Sequence, residues 1–254
     1  MKAAKTAKII AITNQKGGVG KTTASVNLAA GLNKKGMRTL LIDIDSQGNA
    51  SASFGLAIEN EVKTIKDLLV NPQNPHDFIS KIDSVEIIPS NNSLKDIEDI
   101  LLKDRKFDML KTAIAPLTGQ YEYIIIDCPP SINVFTKNGL KASSEIVIPT
   151  DVGYFSLLGL KQLLEEIEHF KRELNPSLEI LGVLASKYDR RTSLSAQIYE
   201  TLKQSFPDKL FKTCIHLNID IVRAQIAQKS IFDYNKRGPA AADFNSLIEE
   251  ITNA

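Results

Sequence analysis

Short runs of consecutive apolar residues, spaced by longer stretches with helical periodicity, set the rhythm of this chain. The runs are KIIAITN (Lys8–Asn14), RTLLIDID (Arg38–Asp45), YIIID (Tyr123–Asp127), EIVIPT (Glu145–Thr150) and EILGVLAS (Glu179–Ser186), with a shorter VEIIPS ending at Ser90. Continuous β-branched runs of this length predict strands buried on both faces, as in a parallel sheet. Helical spacing fills the intervals. Val26, Leu28, Ala29, Ala30 and Leu32 predict a helix over Thr22–Lys35 with Gly36 as its stop. Leu94, Ile97, Ile100 and Leu101 predict one over Ser93–Ala115, ending before Pro116. Others are expected at TIKDLLV, from about Phe155 to Leu174, around Lys203, and from Pro239 onward, with NPQNP as a turn. Repeated strand–helix–strand order predicts an α/β fold, a mostly parallel twisted sheet with helices on both faces. Residues 1–7 read as a short tail and residues 8–254 as a single domain.

Chemistry gathers where these strands end. Gly17, Gly18 and Gly20 follow the first strand and precede a helix, so backbone N–H groups and the helix dipole can converge on a phosphate chain. Lys21 adds a full charge there, and Thr22 stands where a phosphate-loop hydroxyl holds Mg²⁺. The match to G-x-x-x-x-G-K-[ST] is incomplete, because Gln15 replaces the leading glycine, and Lys16 is an additional lysine. Asp45 falls at the end of the second strand, followed by the turn-forming SQGNAS, and a period of two puts Asp43 and Asp45 on one face. Asp127 ends the YIIID strand before CPPS, the place where a magnesium ion needs negative charge. A glycine turn or a strand-ending aspartate alone can be merely structural; finding both in one chain favours the phosphate site.

Composition adds mainly exclusions. Hydrophobic residues at 43% and charged residues at 24% rule out a disordered or fibrous chain. Met1–Ala7 lacks an apolar core and no apolar run reaches membrane-spanning length, so a cytoplasmic protein is expected. Cys128 and Cys214 form no paired motif and read as reduced thiols, without a zinc or disulfide framework. A net charge of +1 means that any nucleic-acid binding must come from a local patch.

KGGVGKTT resembles the deviant Walker A motif of the ParA/MinD superfamily of dimerising P-loop ATPases. The motifs ITNQKGGVGKTT, DIDSQGNAS, YIIIDCPPS and EIVIPT follow that family's order along nearly the whole chain, which looks closest to the ParA/Soj partition ATPases. The resemblance implies a slow ATPase that uses ATP and Mg²⁺, forms a homodimer with ATP, binds duplex DNA without sequence preference, and is released by a ParB-like stimulating partner. It implies a nucleoid-associated location. By the same resemblance Gly17, Gly18, Val19, Gly20, Lys21, Thr22 and Thr23 bind the nucleotide, Thr22 and Asp127 hold Mg²⁺, Asp45 positions the hydrolytic water, and Lys16 reaches across the dimer to the partner's nucleotide.

The chain also departs from that pattern. Where chromosomal ParA proteins place a Pro-Arg pair and a second Arg, IHLNIDIVRA has His216-Leu217 and Asp220, and Ser46 replaces a common proline. The DNA-binding candidates are Arg190, Arg191, Arg223 and Lys229, together with Lys187, Lys236 and Arg237. Alternative readings are an orphan ParA-like positioner of a non-DNA cargo, a MinD-like membrane ATPase, and a dethiobiotin-synthetase-like ligase. The acidic ending FNSLIEEITNA opposes the membrane reading, and Lys16 opposes the ligase.

Overall fold

The computed structural model of the chain describes residues 6–56 and 62–253. β1 (Lys8–Ile12) runs through a glycine-rich loop into α1 (Lys21–Lys34), and β2 (Thr39–Asp43) follows. Gly36, at φ 83°, ends α1: its N–H bonds Asn33 O and the Met37 N–H bonds Leu32 O, the paired closure that a left-handed residue permits. Next come α2 (Asn49–Ala52), α3 (Ile65–Val70), β3 (Ser80–Ile82) and β4 (Val85–Ile88). The middle of the chain supplies α4 (Glu98–Lys103), α5 (Met109–Ile114), β5 (Tyr123–Asp127), α6 (Val134–Ala142), β6 (Glu145–Asp151) and α7 (Tyr154–Leu174). The last part supplies β7 (Glu179–Tyr188), α8 (Ser193–Ser205), β8 (Leu210–His216), α9 (Ile219–Ile226), α10 (Ile231–Tyr234) and α11 (Pro239–Asn253).

These strands form one eight-stranded sheet in the order β3-β4-β2-β5-β1-β6-β7-β8, parallel except for the β3–β4 hairpin. Each face carries its own core, and alternate residues of a strand serve opposite faces. Ile10, Ile12, Leu41 and Ile125 pack with Leu28 and Leu32 of α1 and Phe244, Leu247 and Ile248 of α11. Ile9, Ala11, Leu40 and Ile124 pack with Leu110, Phe135, Leu163 and Ile198 of the opposite helical layer. The expected α/β class, with a mostly parallel sheet covered on both faces, is what the chain adopts.

Three local expectations need correction. The periodic stretch Ser93–Ala115 is not one helix: a 3₁₀ turn over Asn92–Ile97 leads into α4, Arg105 adopts φ 51°, and α5 begins afresh. Asn138 fixes that break by donating to Lys106 O at 2.8 Å and accepting from Leu110 N at 3.1 Å. The second strand stops at Asp43 rather than Asp45, because Asp43 turns its carboxylate back onto the N–H groups of Asp45 and Ser51. The edge strand β8, over Leu210–His216, is not among the apolar runs read as strands.

That edge is closed by the last helix. Glu250 accepts from the N–H groups of Lys212 and Thr213, at 2.8 and 2.7 Å, and Asp243 accepts from that of His216 at 2.9 Å. The apolar stripe of α11 is fully buried against the sheet. Among the described residues, no helix is long and apolar enough to cross a membrane.

Candidate nucleotide-binding site

The register of the central strands assembles the site. β5 lies between β1 and β2, with Asp127 opposite Ile12 on one side and Asp43 on the other, so the phosphate loop and two carboxylates share one end of the sheet. In the loop, Gly18 (φ 74°) and Gly20 (φ 89°) adopt left-handed backbone that other residues rarely enter. No atom lies within 4 Å of where a Cβ on Gly17 or Gly18 would be, so this face of the loop is an open cradle. Its base is anchored: Asn14 donates to Pro149 O at 2.8 Å and accepts from Lys16 N at 2.9 Å, and the Ser186 hydroxyl donates to Val19 O at 2.6 Å. Val19 is thus a buried strut of the loop, its side chain turned away from solvent.

Lys21 is almost entirely buried, with Nζ donating to Lys16 O at 3.0 Å. Burial pulls its pKa below the ordinary lysine value, while the carboxylates of Asp127 and Asp45 act to hold the charge on. One helical turn of α1 addresses Asp127 directly: the Thr22 hydroxyl donates to Oδ2 at 2.8 Å and the Ser25 hydroxyl to Oδ1 at 2.7 Å. Ser25 was not foreseen, although its place three residues after Thr22 on α1 is the signal that could have found it. Asp127 and Asp43 are both fully buried, and burial is the main reason that their pKa values are raised; the neighbouring charge of Asp43 adds to the shift of Asp127, and that of Asp45 to the shift of Asp43. Asp43 holds the chain rather than lining the cleft: Ser51 donates to it through both N–H and hydroxyl, and the same hydroxyl accepts from Ser90 N. Asp45, 6% exposed, accepts from Gln47 N at 2.9 Å and does line the cleft.

Lys16 has a partner within its own chain. Its ammonium meets both oxygens of Asp151, at 3.0 and 2.9 Å, and the hydroxyl of Ser156 at 2.9 Å. Partial burial would raise the Asp151 pKa, but the Ser156 hydroxyl, Lys16 and Lys187 outweigh it and keep it below the ordinary carboxylate value. The cleft beside the loop has a volume of about 550 Å³, within the range of small-ligand sites. Gly17, Gly18, Gly20, Lys21, Thr22 and Thr23 form one wall. The opposite wall was not read from the sequence: Lys187 of β7, Asn218 before α9, and Ile221 and Gln225 on α9. Gln225 Nε2 donates to the Thr23 hydroxyl at 3.2 Å, so α9 rests on the start of α1.

The basic candidates lie apart from the buried carboxylates. Arg190 donates through Nε to His216, Arg191 is ion-paired with Asp189 at 2.8 Å, and Arg223 with Asp220 at 3.3 Å; Lys229 is exposed. Arg190 and Arg191 share another cavity with Ile219 and Val222 of α9. Exposed Leu217, Ile219, Val222 and Ile226 sit among these cations.

A family model described as an AAA domain matches residues 7–180. The sporulation initiation inhibitor protein Soj of Bacillus subtilis is 41% identical over 247 residues, covering 96% of this chain and 98% of the relative. The chromosome partitioning protein ParA of Myxococcus xanthus is 34% identical, over 96% of this chain and 87% of its own length. A crystal structure of cobyrinic acid a,c-diamide synthase from Mycobacterium smegmatis, with an ATP analogue and magnesium bound, superposes with a TM-score of 0.85 at 28% identity, covering 96% and 93% of the two chains. The cradle, the lysine within it, the hydroxyl–carboxylate pair and a 41%-identical relative matched end to end lead to one conclusion: the chain belongs to the ParA/Soj family of P-loop ATPases.

Proposed function

We propose that this chain is a Mg²⁺-dependent ATPase that dimerises with ATP, rides non-specifically on duplex DNA, and positions chromosomal or plasmid cargo until a partner stimulates hydrolysis. The observation that carries the reading is the Thr22–Asp127–Ser25 cluster beside the open glycine cradle, with Lys21 between them. The open faces of Gly17 and Gly18 fit a phosphate chain, and the oxygen donors of Thr22 and Asp127 fit a hard divalent ion. Thr22 and Asp127 would hold Mg²⁺, which when bound neutralises charge on the phosphates. Lys21 binds those phosphates, and the loop's N–H groups orient them. Asp45, held by Gln47, orients the attacking water. Lys16, leaving Asp151 and Ser156, acts on the nucleotide of the second protomer. Dimerisation would double a weak DNA-binding surface and so act as a switch.

The test is binding to a non-specific duplex with ATP, ADP or no nucleotide at two salt concentrations, alongside ATP hydrolysis. Binding only with ATP that weakens steeply with salt supports the reading. Hydrolysis without DNA binding in any state would leave an ATPase with a different cargo. A second reading, an ATP-dependent ligase acting on a small carboxylate, is favoured by the likeness to the cobyrinic acid a,c-diamide synthase structure. Such an enzyme turns over without a macromolecular partner, and a turnover rate independent of protein concentration would select it.

A further inference from the structure

Near its C-terminal end β7 carries one residue too many. Ala185 pairs with Cys214 and Tyr188 with His216, so Ser186 and Lys187 together stand opposite the single Ile215. This is a β-bulge, a device that re-aims a side chain and concentrates beside active sites. Both residues of the bulge face the phosphate loop. The Ser186 hydroxyl bonds the carbonyls of Val19 and Thr150, and Lys187 lines the cleft with Gly17 and Gly18. Lys187 does so from φ 54°, left-handed backbone that residues other than glycine seldom adopt. A side chain held in such a conformation points to a role that offsets the strain.

The surroundings name the ligand. Lys187 is exposed and makes no ion pair among the described residues, while nearby Asp151 is taken by Lys16 at 2.9 Å. With Lys21 it is a cation of a cleft of about 550 Å³, too small for a duplex and the right size for a nucleotide. We infer that Lys187 is a nucleotide-binding residue, aimed by the β7 bulge at the phosphates of the nucleoside triphosphate in this cleft and not at the DNA backbone. The inference rests on the reading of the cleft as the ATP site.

The experiment is calorimetric titration of MgATP into the full chain and its Lys187→Met, Lys187→Arg, Lys187→Gly and Lys21→Ala variants. Lys187→Met is expected to weaken binding about tenfold and to flatten its salt dependence, as loss of one charge contact requires. Lys187→Arg should restore most of the affinity. Lys187→Gly should bind as weakly as Lys187→Met while keeping or raising the melting temperature of the nucleotide-free protein, because the backbone strain is gone. Parental MgATP affinity in Lys187→Met, or a loss that Arg does not restore, overturns the inference. Parental affinity in Lys21→Ala would instead overturn the assignment of the cleft itself.

Discussion

The centre of the sheet and its β7–β8 flank build opposite walls of the same cleft by different means. At the centre both carboxylates are buried and partnered: Asp127 receives Thr22 and Ser25, and Asp43 receives Ser51 and Asp45. On the flank, α9 presents Ile219, Val222 and Ile226 at 60%, 48% and 79% exposure, spaced along one face. A buried carboxylate unpaired in a low-dielectric site is costly, so the central wall admits few sequences. An exposed helix face is nearly neutral to substitution, so the flank can change its partner chemistry without disturbing the fold. Two of the departures from the family pattern, Leu217 and Asp220, lie on that freer side, whereas Ser46 adjoins Asp45 at the centre.

The widest separation of the two walls is expected from Lys21→Ala. Removing the buried cation should lower MgATP affinity and hydrolysis at least about 100-fold, equivalent to about 3 kcal/mol, with little change in DNA-independent folding. Asp43→Ala should act on stability instead. It strands the N–H groups of Asp45 and Ser51 and the Ser51 hydroxyl, and should cost about 2–3 kcal/mol in urea denaturation. A loss under 1 kcal/mol would mean that the site is not as pre-organised as its hydrogen bonds indicate. Gly31→Ala tests packing away from the ligand, since its Cβ would lie 2.3 Å from Ile248 Cδ1 and 2.6 Å from the Phe232 ring, and should cost about 1–3 kcal/mol.

Acidity probes the centre in a different way. Asp127 and Asp43 have folded pKa values raised to about 7 and about 6 from 3.8, so the folded chain binds protons more tightly than the unfolded one. Their contribution to stability is therefore full below about pH 4 and is lost as pH rises toward 7. Denaturation midpoints at pH 5 and pH 7.5 should show that Asp127→Asn loses less stability across this interval than the parent; equal losses would sink the argument. The smallest effect belongs to the flank: Ile226→Glu should change stability by no more than about 0.5 kcal/mol.

How much the sequence disclosed follows the same division. β1, β5, β6 and β7 were legible because parallel strands buried on both faces leave continuous apolar runs, and Lys21, Thr22 and Asp127 were legible because strand ends fix their place. Ser93–Ala115 misled because Leu94, Ile97, Leu101, Leu110 and Ile114 all enter one core, so the apolar period survives a break made by the distant Asn138. The β7–β8 wall was illegible for a related reason. An extra residue in a strand leaves no periodic trace, and only the φ of Lys187 and the register around it reveal where that lysine is aimed. Lys16 shows the same limit, since nothing local to KGGVGK indicates a partner at Asp151, more than a hundred residues away.

A row of unpaired strand N–H groups is a template on which another chain can add, and every open sheet has two such borders. Here the carboxylates of Glu250 and Asp243 occupy those donors along β8, and the opposite border ends in a three-residue antiparallel strand. Both fronts of possible polymerisation are thus blunted within the fold. Many copies can crowd together without their sheets fusing into fibres.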